Sequence, residues 1–243
     1  MSISDKIKFV RDKIADAALR CGRDADDIKL IAVTKYVTAE DRHIIEFIKN
    51  GCMDFGESRV QSLWDKIEYL DRNLPECLPN NVAKKQLQWH MIGTLQRNKI
   101  RKILPRISLI HSIDSERLAS AIDRVAVDES IEQPVKCLLE VAISGDETKH
   151  GFEPSEISDV VGRLGQFRNL HVVGLMCMSG LLSNATETRR EFAAVRNIAE
   201  KLKSQNLLVN CSMDELSMGM SDDFEIAIEE GATIVRIGRL LYD

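Results

Sequence analysis

Eight short apolar runs, alternating with segments of helical periodicity along nearly the whole chain, predict an α/β fold. The expected form is a single (β/α)8 barrel of the TIM type, residues 1–243, with an extra N-terminal helix. Two observations favour closure over the alternative, an open doubly wound sheet. The length of 243 residues suits a one-domain barrel of about 250 residues, and neither a composition shift nor an internal repeat divides the chain.

The extra helix is signalled by Ile7, Val10, Ile14, Ala17 and Cys21, spaced by three and four and ending at Gly22. Strand one is the run at residues 30–34, closed by Lys35. Thr38 is the expected N-cap of a helix through Lys49, with Asn50 and Gly51 marking its end. Met53-Asp54-Phe55 gives strand two, and Val60, Leu63, Ile67 and Leu70 mark the helix after it. Residues 71–85, containing Pro75, Pro79 and Asn80-Asn81, read as a loop-like insertion. Residues 87–92 form strand three, and a basic helix at residues 97–104 is stopped by Pro105. Residues 107–113 make strand four, and a helix with Leu118, Ile122 and Val125 leads to strand five at 135–143. Its Val-Lys-Cys-Leu-Leu-Glu-Val run suits a strand buried in a parallel sheet. Pro154 fits the first turn of the next helix. Residues 171–176 are strand six. Asn184 or Thr186 starts a long helix carrying Phe192, Val195, Ile198 and Leu202, and residues 211–218 and 233–237 supply strands seven and eight.

Hydrophobic residues make up 44% of the chain, charged residues 29% and aromatics 5%, the balance of an ordinary globular protein. A formal net charge of -5 leaves no long-range attraction for nucleic acid or an anionic membrane, so any anion needs a local site. Cys21, Cys52, Cys77, Cys137, Cys177 and Cys211 are scattered without a C-x-x-C pair, which points to free thiols in a reducing cytosol and to no metal framework. The N-terminus lacks an apolar leader run, and no stretch approaches the ~20 apolar residues of a membrane span. A cytoplasmic protein is expected.

In such a barrel the site forms at the carboxyl ends of the strands, with phosphate commonly held by the loops after strands seven and eight. Lys35 stands at the end of strand one, a candidate to form a Schiff base with an aldehyde; partial desolvation in a barrel mouth favours its neutral, nucleophilic amine. The anion candidates lie at the other end of the sequence. Gly219 lets backbone approach a ligand, Ser217 and Ser221 offer hydroxyls, and Ser221 is expected to open a helix at 222–230 whose free N–H groups face the site. Gly238 does the same from strand eight. Arg236 is a candidate to add a permanent positive charge, unless strand alternation turns it toward the ring or the barrel interior. Asp222 and Asp223 must face away from any phosphate. In isolation Ser217-Met218-Gly219-Met220-Ser221 is a plain strand–turn–helix connection and Lys35 a solvated strand end. Closure of strand one on strand eight brings them together, and lysine plus phosphate cradle is the minimum for holding pyridoxal 5'-phosphate (PLP).

The remaining candidates weigh less. His90 ends a strand near the expected mouth, as a ligand contact or as a structural histidine. His111 and His171 read as interior or strand-end residues, without metal-binding spacing. Arg97, Lys99, Arg101 and Lys102 read as a solvated basic face.

Several spaced motifs in order resemble the pyridoxal phosphate homeostasis proteins from about residue 30 to residue 242. They are Ala32-Val33-Thr34-Lys35, Phe55-Gly56-Glu57-Ser58-Arg59-Val60-Gln61, Trp89-His90-Met91-Ile92-Gly93-Thr94-Leu95-Gln96-Arg97-Asn98-Lys99, Lys149-His150-Gly151-Phe152, Ser217-Met218-Gly219-Met220-Ser221-Asp222-Asp223 and Val235-Arg236-Ile237-Gly238. The resemblance implies the barrel of the N-terminal domain of alanine racemases, a Schiff base between PLP and Lys35, and Ser217, Gly219, Ser221, Arg236 and Gly238 around the phosphate. The chain departs from the family pattern at Ser58, where asparagine is usual, at residues 174–180, and at its Leu241-Tyr242-Asp243 end.

Two function classes fit such a barrel. A two-base racemase needs a second acid–base group opposite the lysine; with five residues after Gly238 no further domain is expected to supply one, and His90 is the sole substitute. No arginine clamp for a substrate carboxylate is assignable. The expected function is therefore a monomeric PLP carrier and regulator in vitamin B6 and amino-acid homeostasis that passes PLP to apo-enzymes, with neither nucleic acid nor membrane as partner. A racemase of the alanine racemase type is the alternative.

Overall fold

The computed structural model describes residues 1–77, 87–144, 150–205 and 210–242. Eight parallel strands close in sequence order: β1 (Lys29–Val33), β2 (Asp54–Glu57), β3 (Gln88–Met91), β4 (Leu109–Ile113), β5 (Val135–Glu140), β6 (Leu170–Met176), β7 (Cys211–Ser217) and β8 (Ile234–Ile237). Closure sets Leu30 of β1 opposite Val235 of β8, and Ala32 opposite Ile237. The open-sheet alternative falls with that pairing.

Around the barrel run α1 (Ile3–Arg20), α2 (Arg42–Lys49), α3 (Val60–Cys77), α4 (Ile100–Ile103), α5 (Glu116–Asp128), α6 (Ile157–Leu164), α7 (Ala185–Ser204), α8 (Phe224–Glu229) and α9 (Arg239–Tyr242). Among the described residues, no helix is long and apolar enough to cross a membrane. The extra helix α1 starts on a capping box in which the Ser2 hydroxyl accepts the Asp5 N–H and the Asp5 carboxylate accepts the Ser2 N–H. Its buried stripe Ile7, Val10, Ile14, Ala17 packs where α2, α8 and α9 meet, across the closure of β1 on β8.

Strand alternation divides the core in two. Ile31, Leu109, Leu138, Val173, Met176 and Ile234 fill the barrel, while Ala32, Phe55, Trp89, Met91, Val235 and Ile237 face the helix layer. Gly174 lies where β6 and β7 nearly touch, since a Cβ there would stand 1.7 Å from the Glu215 carbonyl oxygen.

Several expected boundaries shift. Helix α2 starts on Asp41, whose side chain accepts the His43 N–H, and not on Thr38, which precedes a turn. Residues 71–77 continue α3 where a loop was expected. The Arg106–Asp71 pair, Arg72–Glu68, and the Asn73 amide bound to the Tyr69 carbonyl supply local partners for that continuation; residues 78–86 lie outside the described residues. The expected basic helix is a succession of short turns, 3-10 at Arg97–Lys99, α4, then 3-10 at Leu104–Arg106, where Pro105 stands in the first turn and ends the α-helical pattern. Pro154 lies in the turn before α6, outside its first helical turn.

Candidate functional site: a lysine and an arginine at the barrel mouth

The carboxyl ends of the strands surround a cleft of about 680 Å³. Alternation on β1 explains what enters it. Val33 and Lys35 line the cleft, whereas Thr34 between them turns outward, its Oγ1 donating to Glu57 Oε1 at 2.6 Å. Glu57 is fully buried and accepts Lys66 Nζ of α3 on the same oxygen at 2.7 Å. The Tyr242 hydroxyl donates to the Val33 carbonyl at 3.1 Å, and burial pushes that phenol's pKa up, so it stays a donor. The turn bearing Lys35 is thus held from both sides.

Lys35 itself is exposed, with Nζ 5.2 Å from the centre of the Tyr36 ring. The burial expected of it is not supplied by the protein's own side chains. Tyr36 also packs edge-on to Tyr242 and against Gly238, where a Cβ would stand 2.9 Å from the Tyr36 ring. Gly238 and Lys35 line the same cleft, joined there by Ser58, Ser221 and Arg236.

The anion side departs from expectation at Ser217, at Ser221 and at the pair Asp222 and Asp223. Arg236 takes the interior option, buried on β8 beside Ile234. Its Nη1 donates to the Ser217 carbonyl and hydroxyl, each at 2.6 Å, and Nη2 to the Cys177 carbonyl at 2.9 Å. Burial draws its pKa below the ordinary arginine value, opposed by Cys177, Asp223 and Glu140, yet the residue still lines the cleft. Ser217 does not reach the cleft: it is fully buried beneath it, tied to Arg236 and to His111. Gly219, at φ +89°, is required by helix packing, because a Cβ would stand 2.6 Å from Ala227 Cβ and 2.8 Å from Phe224 Cα. Ser221 stands in a turn ahead of α8, which starts only at Phe224, so it does not open the helix. Asp222 and Asp223 do not face away as expected: both line the cleft, each tied to other residues that line it. Asp223 accepts the Ser179 hydroxyl and the Met220 N–H, and Asp222 pairs with Arg239.

His90 lies inside the barrel, away from the mouth. Its Nε2 is 2.9 Å from Asp54 Oδ1 and its Nδ1 3.0 Å from His111 Nε2, while His111 Nδ1 is 2.9 Å from Ser217 Oγ. Burial lowers the pKa of His90 against the opposing pull of Asp54, and lowers that of His111 much further, reinforced by His90 and Arg236. His111 is interior, one of the two placements expected. Sequence reasoning missed Tyr36, Tyr242, Asp54 and the Glu57–Lys66 pair. The signal available for Asp54 was period-two alternation on β2, which sends Asp54 and Gly56 inward and Phe55 and Glu57 outward.

An amine and a guanidinium lining one cleft at the carboxyl end of a closed parallel barrel define the class: a (β/α)8 barrel with a cationic cleft at its mouth. The family model of the alanine racemase N-terminal domain matches residues 11–243. A pyridoxal phosphate homeostasis protein of Aquifex aeolicus (strain VF5) is 38% identical over 242 residues, covering 100% of this chain and 98% of that protein. Its counterpart in Escherichia coli (strain K12) is 33% identical over 240 residues, covering 99% and 95%. The solved structure of PipY from Synechococcus elongatus PCC7942 with PLP bound superposes with a TM-score of 0.79 at 33% identity, covering 100% of both chains. An alanine racemase of Clostridium difficile 630, at 15% identity, TM-score 0.67 and 56% coverage of its chain, shares the fold alone. The chain belongs to the alanine racemase N-terminal domain family and, within it, to the pyridoxal phosphate homeostasis proteins.

Proposed function

We propose that this protein is a PLP carrier: it binds PLP at the barrel mouth, attached covalently through Lys35, and serves vitamin B6 and amino-acid homeostasis by holding and releasing the cofactor. The observation that carries the reading is the shared cleft of Lys35, Arg236, Ser58, Ser221 and Gly238. The donor set suits the group. A primary amine matches an aldehyde, a guanidinium and two hydroxyls match a phosphate, and about 680 Å³ is ample for a ligand of this size. PLP supplies an aldehyde for reversible attachment and, in other settings, an electron sink.

The protein's own residues divide the work. Lys35 supplies the attaching nitrogen from a turn fixed by Thr34–Glu57 and by Tyr242. Arg236 supplies a buried cation, and Ser58 and Ser221 supply hydroxyls at the rim. Gly219 and Ser217 support this arrangement from beneath. Exposure of Lys35 favours exchange with solvent and with a recipient over enclosure of a reaction. The reading extends to a monomeric, cytoplasmic protein that hands PLP to apo-enzymes.

The carrier is favoured over a racemase by the placement of His90, the one substitute considered for a second base, which is 2% exposed and directed at Asp54 and His111. Titration of the purified protein with PLP, followed by absorbance and by incubation with L- and D-amino acids, tests the reading. Saturation at one PLP per chain with slow exchange and no enantiomer turnover is expected. Sustained interconversion of enantiomers would overturn it.

A further inference from the structure

The interior of the barrel carries a continuous line of polar side chains from the base of β2 to the mouth. Asp54 opens β2 at the amino-terminal end, His90 and His111 follow on β3 and β4, Ser217 ends β7, and Arg236 on β8 lines the ligand cleft. The four contacts are 2.9, 3.0, 2.9 and 2.6 Å, all within hydrogen-bonding distance.

With both buried imidazoles neutral, the chemistry of the two ends fixes the direction of every bond between them. An arginine only donates, and an ionised aspartate only accepts. Asp54 therefore requires a hydrogen on His90 Nε2. A neutral His90 then has a bare Nδ1, which needs the hydrogen of His111 Nε2. A neutral His111 in turn has a bare Nδ1, which takes the Ser217 hydroxyl hydrogen and leaves the Ser217 oxygen to accept from Arg236. The opposite direction places two lone pairs face to face at Asp54. A charged His111 would set two cations on the single Ser217 oxygen. The charges bearing on the pair are Lys29 of β1, Asp54 of β2, Glu215 of β7 and Arg236 of β8; burial of both rings adds to the preference for neutrality.

We propose that Asp54, His90, His111 and Ser217 form a one-directional hydrogen-bond chain that holds the Arg236 guanidinium in place for an anionic ligand at the mouth, with His111 as its central positioning residue. The consequence for Ser217 is specific. Its hydrogen is committed inward, so it supports Arg236 and does not itself donate to the anion. Together with the Ser217 and Cys177 carbonyls, the chain gives the guanidinium three fixed acceptors before any ligand arrives, which lowers the entropic cost of ordering it on binding.

The chain exists whatever the mouth holds; its role toward an anion rests on the PLP reading. The experiment uses full-length 15N-labelled protein free of PLP and long-range 1H–15N correlation of the histidine side chains from about pH 6 to 8. His90 and His111 are expected as Nε2–H tautomers that do not titrate across this range. An Nδ1–H tautomer or an imidazolium at either position in the wild type overturns the proposal. The second arm measures affinities for inorganic phosphate and for PLP in Ser217→Ala. Both are expected to weaken about tenfold, the scale of one lost hydrogen bond. His111 should then exchange between tautomers while His90 stays Nε2–H, held by Asp54. Unchanged affinities in Ser217→Ala refute the positioning role. A wild-type protein that binds neither anion refutes the PLP reading instead, and that result is distinguishable because the tautomers are read without ligand.

Discussion

Lys66 is 1% exposed and Glu57 is fully buried, so the ion pair between α3 and β2 lies in a region of low dielectric. Lys66 Nζ binds Glu57 Oε1 and the Ser62 hydroxyl, each at 2.7 Å, and Thr34 donates to that same carboxylate oxygen. The second oxygen, Oε2, has no hydrogen-bond partner among the described residues. Lys66→Met would leave the carboxylate with one neutral donor, and uncompensated buried charges of this kind cost about 3–5 kcal/mol. For a chain of this size each kcal/mol moves Tm by roughly 2–4 °C, so a fall of about 6–20 °C is expected. The double variant Glu57→Leu, Lys66→Met removes both charges and should recover most of the loss. Urea unfolding at neutral pH is the assay, with the midpoint shifting and the slope unchanged. A single variant within about 1 kcal/mol of wild type, or a double variant no better than the single, would refute the reasoning.

Three further outcomes are expected. Gly174→Ala should destabilise by several kcal/mol or fail to fold, because the new Cβ meets backbone, the Glu215 carbonyl oxygen at 1.7 Å, and not a movable side chain; soluble yield and urea midpoint report it. Tyr242→Phe keeps the ring against Tyr36, Phe47 and His43 but strands the Val33 carbonyl, so it should cost about 1–2 kcal/mol and slow attachment of PLP at Lys35 without changing phosphate affinity. Glu229 is held below the ordinary glutamate pKa first by its hydrogen bond from Arg189 and then by Arg20. A depressed carboxylate contributes stability that is present above its unfolded pKa and lost as pH falls through the folded value. Glu229→Gln should therefore be less stable than wild type at neutral pH, by no more than about 1 kcal/mol for so exposed a network. The difference should close below the ordinary glutamate range, a trend visible in thermal melts over pH.

The barrel was legible because eight buried runs and their helical crossovers follow the 2 and 3.6 periods that solvent exclusion imposes. The helix ends were less so. Asp41 outcompeted Thr38 as a cap, and α3 ran on past Leu70, since local partners such as Tyr69 and Asp71 decide such ends. At the mouth, Lys35 and Gly238 could be paired from strand order alone. The roles of Ser217, Gly219 and His90 could not. Each looks from its own neighbours like a ligand contact, yet other partners claim them: His111 and Asp54, far away in sequence, for Ser217 and His90, and the packing of α8 through Ala227 for Gly219. Arg236 could be assigned to the interior or the ring only once the register of β8 against β1 was fixed.

The most direct test of the account is to reduce the PLP-loaded protein with borohydride, digest it and map the modified peptide by mass spectrometry. The account predicts a single cofactor-bearing peptide containing Lys35, absent from Lys35→Ala although that variant still binds phosphate. Cofactor fixed on another lysine while Lys35 stays unmodified would contradict it.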